Sequence, residues 1–139
     1  MSRIKTFVVL LLIAILALSA CRPQTPEPKK PIKVGAIFDL TGATADVGTP
    51  YSEGVKGFVE WLNKQGGVEG HPIELISADY AYKTDQAEQL YSQFVSEGVV
   101  AFMGWGTGDT EALRPRIAED KIPFMSASYS AALTKIDEA

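Results

Sequence analysis

The sequence predicts an α/β fold: a parallel sheet with helices on both faces, in the order β-α-β-α-β-α-β. Three observations predict it. Four short apolar runs, each fit for a buried strand, recur along the chain. Between them lie stretches whose apolar residues repeat at helical spacing. Glycine or proline marks several of the junctions. Strands that alternate with helices read as a parallel sheet, since each crossover must return the chain over one face.

The first strand is "IKVGAIF", residues 32–38. A helix follows in "TPYSEGVKGFVEWLNKQGG", with Thr49 as N-cap and Pro50 as first helical residue. Its Tyr51, Val55, Phe58, Val59 and Leu62 fall on one face, and Gly66 and Gly67 end it. "HPIELISAD" (71–79) is the second strand. Thr84 then caps a helix whose buried stripe is Ala87, Leu90, Tyr91, Phe94 and Val95, stopped by Gly98. "VVAFMG" (99–104) is the third strand. The next helix begins near Asp109, runs to about Lys121 and carries Pro115, which should kink it. "IPFMSA" (122–127) is the fourth strand, and another helix can start from Ala131.

Right-handed crossovers and the common order 2-1-3-4 put strands one and three side by side. The winding reverses between them, and open α/β sheets bind ligands at that point, beyond the carboxyl ends of the strands. The loops there are "DLTGATADVG" (39–48) and "GWGTGDT" (104–110). The second places Gly104, Gly106 and Gly108 at alternate positions before a helix. Free N–H groups at a helix start suit an anion or a polar oxygen. Phosphate fits poorly, because a P-loop needs Lys and Ser/Thr after its glycines and Asp109 and Thr110 stand there.

Candidate ligand contacts are therefore the Thr107 and Thr110 hydroxyls, the Gly108 amide, and Ser128 and Ser130 in "SASYSAAL" after the fourth strand. Trp105 and Tyr129 flank them and can stack on a ligand or pack under a loop. Each has a plainer alternative: a tight turn at 104–110, helix capping by Asp109, capping by Ser130. Asp39 and Asp79 close strands one and two and read as caps of loop amides, with a magnesium pair as the alternative. His71, in a turn without a second histidine or a cysteine nearby, makes no metal site. No cofactor is implied.

The first twenty residues differ in kind. Arg3 and Lys5 lead an apolar run over residues 7–18, shorter than the roughly 20 residues that span a bilayer. The run ends in "LSAC", and Cys21 is the only cysteine of 139 residues, so no internal disulfide can form. This pattern resembles the lipobox of bacterial lipoproteins, with 1–20 a signal peptide and Cys21 the lipidated N-terminus. Residues 22–31, "RPQTPEPKKP", have four prolines and no apolar period, as an extended tether does. The net charge of −4 rests on 13 basic and 17 acidic residues. Two basic residues leave with the leader, making it −6. No basic patch stands out, so nucleic acid is not an expected partner.

The stretches "KVGAIFDLTGATADVG", "GVKGFVEWLNKQGGVEGHPIEL", "VVAFMGWGTGDTEALRP" and "EDKIPFMSAS" resemble the amino-terminal lobe of type I periplasmic binding proteins. The nearest group is the leucine/isoleucine/valine-binding-like receptors of ABC transporters. The resemblance implies an incomplete amino-terminal lobe over 32–139, a small solute held without chemistry, a permease as partner and a lipid-anchored place on the outer face of a bacterial membrane. It carries ligand contact onto Gly106, Thr107, Gly108, Ser128 and Ser130. The turn departs from the family, which usually has a serine where Gly108 stands, while Asp109 adds a negative charge and Val47 replaces an aromatic. The implied solute is an amino acid of branched-chain type or an amide-like compound, with an aromatic compound also open. A sensor presenting the solute to a signalling partner is the other reading. A hydrolase or phosphoryl enzyme built on Asp39 and Asp79 is a third.

Overall fold

The computed structural model describes residues 29–134. The expected leader, the expected lipidation site Cys21 and most of the expected tether lie outside the described residues. The elements are β1 (Ile32–Phe38), α1 (Ala45–Lys64), β2 (Ile73–Asp79), α2 (Thr84–Ser96), β3 (Ala101–Gly104), α3 (Thr107–Asp120), β4 (Phe124–Ser126) and a short 3-10 turn (Ala131–Thr134). The sheet is parallel throughout, in the order β2-β1-β3-β4. Ile32 pairs with Ile73 and runs in register to Phe38 opposite Asp79, while Val34 faces Ala101 and Phe102 faces Phe124. The predicted order thus holds, and β1 and β3 are neighbours.

The two faces of the sheet are packed differently. On one, Ile37 and Phe102 meet Ala87, Tyr91 and Phe94 of α2 and Leu113 of α3 in a fully buried cluster. Phe102 stacks at 4.6 Å on Tyr91 and at 5.8 Å on Phe124. On the other, the alternate strand residues Val34, Leu75, Met103 and Met125 face α1. There the predicted stripe of Tyr51, Val55, Phe58, Val59 and Leu62 lines an open apolar groove of about 570 Å³. Phe58 stays 59% exposed and Met125 54%. Two ties fix the ends of α1. Tyr51 packs edge-on against Phe38 at 5.8 Å, and Asn63 exchanges two hydrogen bonds with Ile73, of 2.7 and 2.8 Å.

Helix starts differ from expectation. α1 begins at Ala45 behind Thr44, so Pro50 sits inside the helix and Thr49 caps nothing. Lys83, with extended backbone, precedes α2, and Thr84 is its first residue. α3 begins at Thr107 behind Gly106, so Asp109 is the third helical residue, not the cap. At α1 the Thr44 N–H is held by Asp39, behind the start, and at α3 the Gly106 N–H is held by Asp109, inside the first turn. Strands two to four are each shorter than predicted, although Pro72, Val100, Pro123 and Ala127 just outside them still share single backbone hydrogen bonds with a neighbouring strand. Among the described residues no helix is long and apolar enough to cross a membrane.

Candidate functional site

The carboxyl ends of β1 and β3 carry the loops that the sequence singled out, and a hydrogen-bond chain joins them. Asp39, fully buried, accepts from the Gly42 N–H (2.6 Å), the Thr44 N–H (2.8 Å) and the Thr44 hydroxyl (2.8 Å). The Thr44 hydroxyl in turn accepts from the Trp105 indole N–H at 2.8 Å. Trp105 also lies on Tyr51, with ring centres 5.1 Å apart. Asp79 organises the neighbouring loop. It accepts from the Leu40 and Ala81 N–H groups, at 2.9 and 2.8 Å, and from Thr41. Burial works to raise its pKa, yet these bonds from Thr41, Leu40 and Ala81 hold it below the usual value. Both acids are therefore caps of loop groups, with their oxygens already engaged. Among the described residues no cluster of three His, Cys, Asp or Glu could hold a metal ion.

Two of the three glycines in the turn after β3 answer to crowding. A Cβ on Gly104 would lie 2.1 Å from the Phe124 ring. One on Gly106 would lie 2.3 Å from an Asp109 carboxylate oxygen and 2.5 Å from the Tyr80 hydroxyl. Gly108 is different: a Cβ there would meet only Thr84, at 3.8 Å. Asp109 is 3% exposed. It accepts from the Tyr80 hydroxyl at 3.0 Å and the Gly106 N–H at 3.3 Å. Burial raises its pKa above the ordinary carboxylate value, and these bonds offset only part of that. Burial and the adjacent Asp109 likewise push the Tyr80 hydroxyl upward. Asp109 thus serves as the inner support of the turn and does not line the cavity in front of it.

That cavity, of about 180 Å³, is where the predicted residues meet. Thr44, Thr107 and Ser128 bring hydroxyls to it. Trp105, Tyr129 and Tyr82 bring rings, and Gly106 and Ala127 complete the lining. Thr107 and Ser128 hydroxyls lie 2.6 Å apart, and Ser128 also accepts the Ser130 N–H at 3.1 Å. Two hydroxyls that share one hydrogen bond leave one O–H for another acceptor. The first-turn N–H groups of Thr107 and Gly108 have no helical carbonyl behind them. All these groups donate, so the site suits a ligand oxygen of a carboxylate or amide.

Ser130 and Gly108 lie apart from the cavity wall. The Ser130 hydroxyl accepts the Ala132 N–H at 3.3 Å, which is the capping alternative, and lines a neighbouring hollow of about 320 Å³ with Ser128. Gly108 turns toward Thr84, so only its backbone faces the helix start. Sequence reasoning missed Thr44 and Tyr82. For Thr44 the signal was an acid five residues earlier; for Tyr82 it was a second aromatic two residues after Tyr80, in a four-residue loop.

Comparison with known proteins gives the family and the fold. The family model for the periplasmic binding proteins matches residues 31–138. A Leu/Ile/Val-binding protein homologue of Brucella melitensis is 34% identical over 73 residues, 52% of this chain and 20% of that protein. A substrate-binding protein of an ABC transporter from Aeropyrum pernix superposes with a TM-score of 0.70 at 42% identity, over 76% of this chain and 29% of the other. The isoleucine-bound substrate-binding protein of a branched-chain amino acid transporter from Streptococcus pneumoniae gives 0.71 at 28% identity, over 75% and 31%. The chain thus spans a fifth of that curated relative and under a third of these solved chains.

Proposed function

The chain belongs to the periplasmic binding protein family, and from that premise we propose that it supplies one wall of an extracytoplasmic solute receptor for an ABC importer. The solute is small and polar, an amino acid or an amide-like compound, and it is bound without being transformed. The relatives named for leucine, isoleucine and valine, and the neighbour holding isoleucine, support an amino acid. The observation that carries the reading is the convergence of donors on one cavity at the switch point. The Thr107–Ser128 hydroxyl pair and the N–H groups opening α3 receive the solute's carboxylate or amide oxygen. Trp105, Tyr82 and Tyr129 border its apolar part.

Titration of the 139-residue chain with leucine, isoleucine and glutamine, followed by backbone amide shifts, tests this reading. The Thr107, Gly108 and Ser128 amides should move together on binding. The double change Thr107→Val with Ser128→Ala should weaken binding about ten-fold, the worth of a hydrogen bond of roughly 1.4 kcal/mol. Amides that stay still at millimolar solute, or a double variant that binds as well as the parent, would count against it.

The receptor is held at the membrane by a lipid on Cys21, with residues 22–31 as spacer. The "LSAC" sequence after an apolar run supports this. Cys21→Ser expressed in bacteria should lose incorporation of labelled palmitate and leave the membrane fraction. Equal labelling of the variant would rule out the anchor.

A further inference from the structure

We infer that Tyr82 determines specificity at this site, and that the solute it favours carries an aromatic ring beside its carboxylate or amide. The inference rests on the receptor reading above and narrows it. It starts from a turn whose residues do not suit it. Residues 80–83 form a tight turn closed by the Lys83 N–H on the Tyr80 carbonyl at 2.9 Å. Its central residues, Ala81 (φ 52°) and Tyr82 (φ 57°), are both left-handed. Such a turn is ordinarily filled by glycine, asparagine or aspartate, and a bulky residue there is disfavoured. The surroundings enforce it. The Ala81 N–H is tied to Asp79 at 2.8 Å, and Gly42 is so close that a Cβ on it would lie 2.4 Å from the Ala81 carbonyl.

The forced backbone sets the Tyr82 ring in the site. The ring packs against Tyr80 with centres 5.9 Å apart, and a Cβ on Gly106 would lie 3.0 Å from its edge. Tyr80 is itself buried and bonded to Asp109, so the support beneath Tyr82 is rigid. Tyr82 is 42% exposed and lines the same 180 Å³ cavity as Trp105. Trp105 is fixed by its bond to Thr44 and its contact with Tyr51. Tyr129, 99% exposed, stands at the rim. Three rings thus border a space comparable to the roughly 150 Å³ cavity that admits benzene.

Polarity decides the rest. The cavity lining holds no charged side chain, and one O–H of the Thr107–Ser128 pair and the first N–H groups of α3 remain to donate, so the solute's polar end is an acceptor. Rings prefer other rings over aliphatic groups of similar area, through edge-to-face and offset contacts. An aromatic solute therefore gains at Tyr82 and Trp105 what leucine does not.

Phenylalanine and leucine differ only in that apolar part, so they make the test pair, with tetramethylammonium as a third probe. Backbone amide titration of the 139-residue chain should give phenylalanine about five-fold tighter than leucine. Tyr82→Phe should keep that ratio, and Tyr82→Gly should lower it to about two-fold, with Trp105 still in place. Tyr82→Gly should still unfold cooperatively close to the parent's midpoint, because the relief of the left-handed backbone offsets the packing lost with the ring, which separates lost preference from lost folding. Leucine bound as tightly as phenylalanine, or a ratio that survives Tyr82→Gly undiminished, overturns the inference while leaving the receptor reading in place. Tetramethylammonium bound more tightly than phenylalanine also overturns it, in favour of a cation cage. If no amino acid moves the Thr107 and Gly108 amides, both readings fall.

Discussion

Asp39→Ala should lower stability by about 3–4 kcal/mol and loosen Trp105. The carboxylate is fully buried and accepts three hydrogen bonds from the loop that leads into α1. Alanine leaves two N–H groups and one hydroxyl without that acceptor. Each loss costs about 1–3 kcal/mol where water cannot replace it. Gly42 and Thr44 are partly exposed, so the lower end of that range applies. The Thr44 hydroxyl also anchors the Trp105 indole at 2.8 Å, so the fluorescence of Trp105 should shift to the red in the variant. Trp61, already 54% exposed, supplies a constant background. Urea unfolding with tryptophan emission measures both effects. A loss below about 1 kcal/mol with unchanged emission would mean that the loop holds without its acid.

Phe102→Ala should cost about 3–5 kcal/mol, the usual range for removing a buried phenylalanine. The ring is fully buried between Tyr91 at 4.6 Å and Phe124 at 5.8 Å, with Phe94 at 6.3 Å. It also covers Gly35, where a Cβ would come within 2.7 Å of it. These neighbours belong to three separate elements, α2, β4 and β1, so no small shift refills the space. Against a total stability of about 5–15 kcal/mol the loss is large enough to populate unfolded chain. Phe58→Ala, at a position 59% exposed over the groove, should cost far less. The two urea midpoints, read at constant slope, compare them. Equal midpoints would show that the densest part of the core is not where the buried rings place it.

The sheet was legible because its signals are local and repeated. Residues 32–38 read as a strand and are one, and the alternation of strands and helices gave the parallel sheet, while the order β2-β1-β3-β4 came from the commonest arrangement of such sheets and holds. The start of α1 was not legible. Its first turn shows no apolar period, and Thr49–Pro50 is the stronger local signal, but the Gly48 N–H donates to the Thr44 carbonyl at 2.8 Å. Gly48 also rests on the Asp39 backbone, where a Cβ would lie 2.0 Å from the carbonyl oxygen. That contact joins parts of the chain that sequence does not show as neighbours. The same holds for Asp109. Its charge looked like a helix cap or a competitor of the solute, and only the position of Tyr80 shows it turned inward. Tyr82 was illegible for a different reason: no propensity assigns Ala-Tyr to two left-handed positions.

The slot between α1 and the sheet has a mechanical consequence. That helix is fastened at its ends, by Tyr51 on Phe38 and by Asn63 on Ile73, with little solid contact along its middle. The opposite layer, clamped by interlocked rings, is the stiffer of the two. Under stress the flanks should separate in sequence, α1 peeling first and carrying the Thr44 side of the cavity away, while the Thr107 side stays assembled.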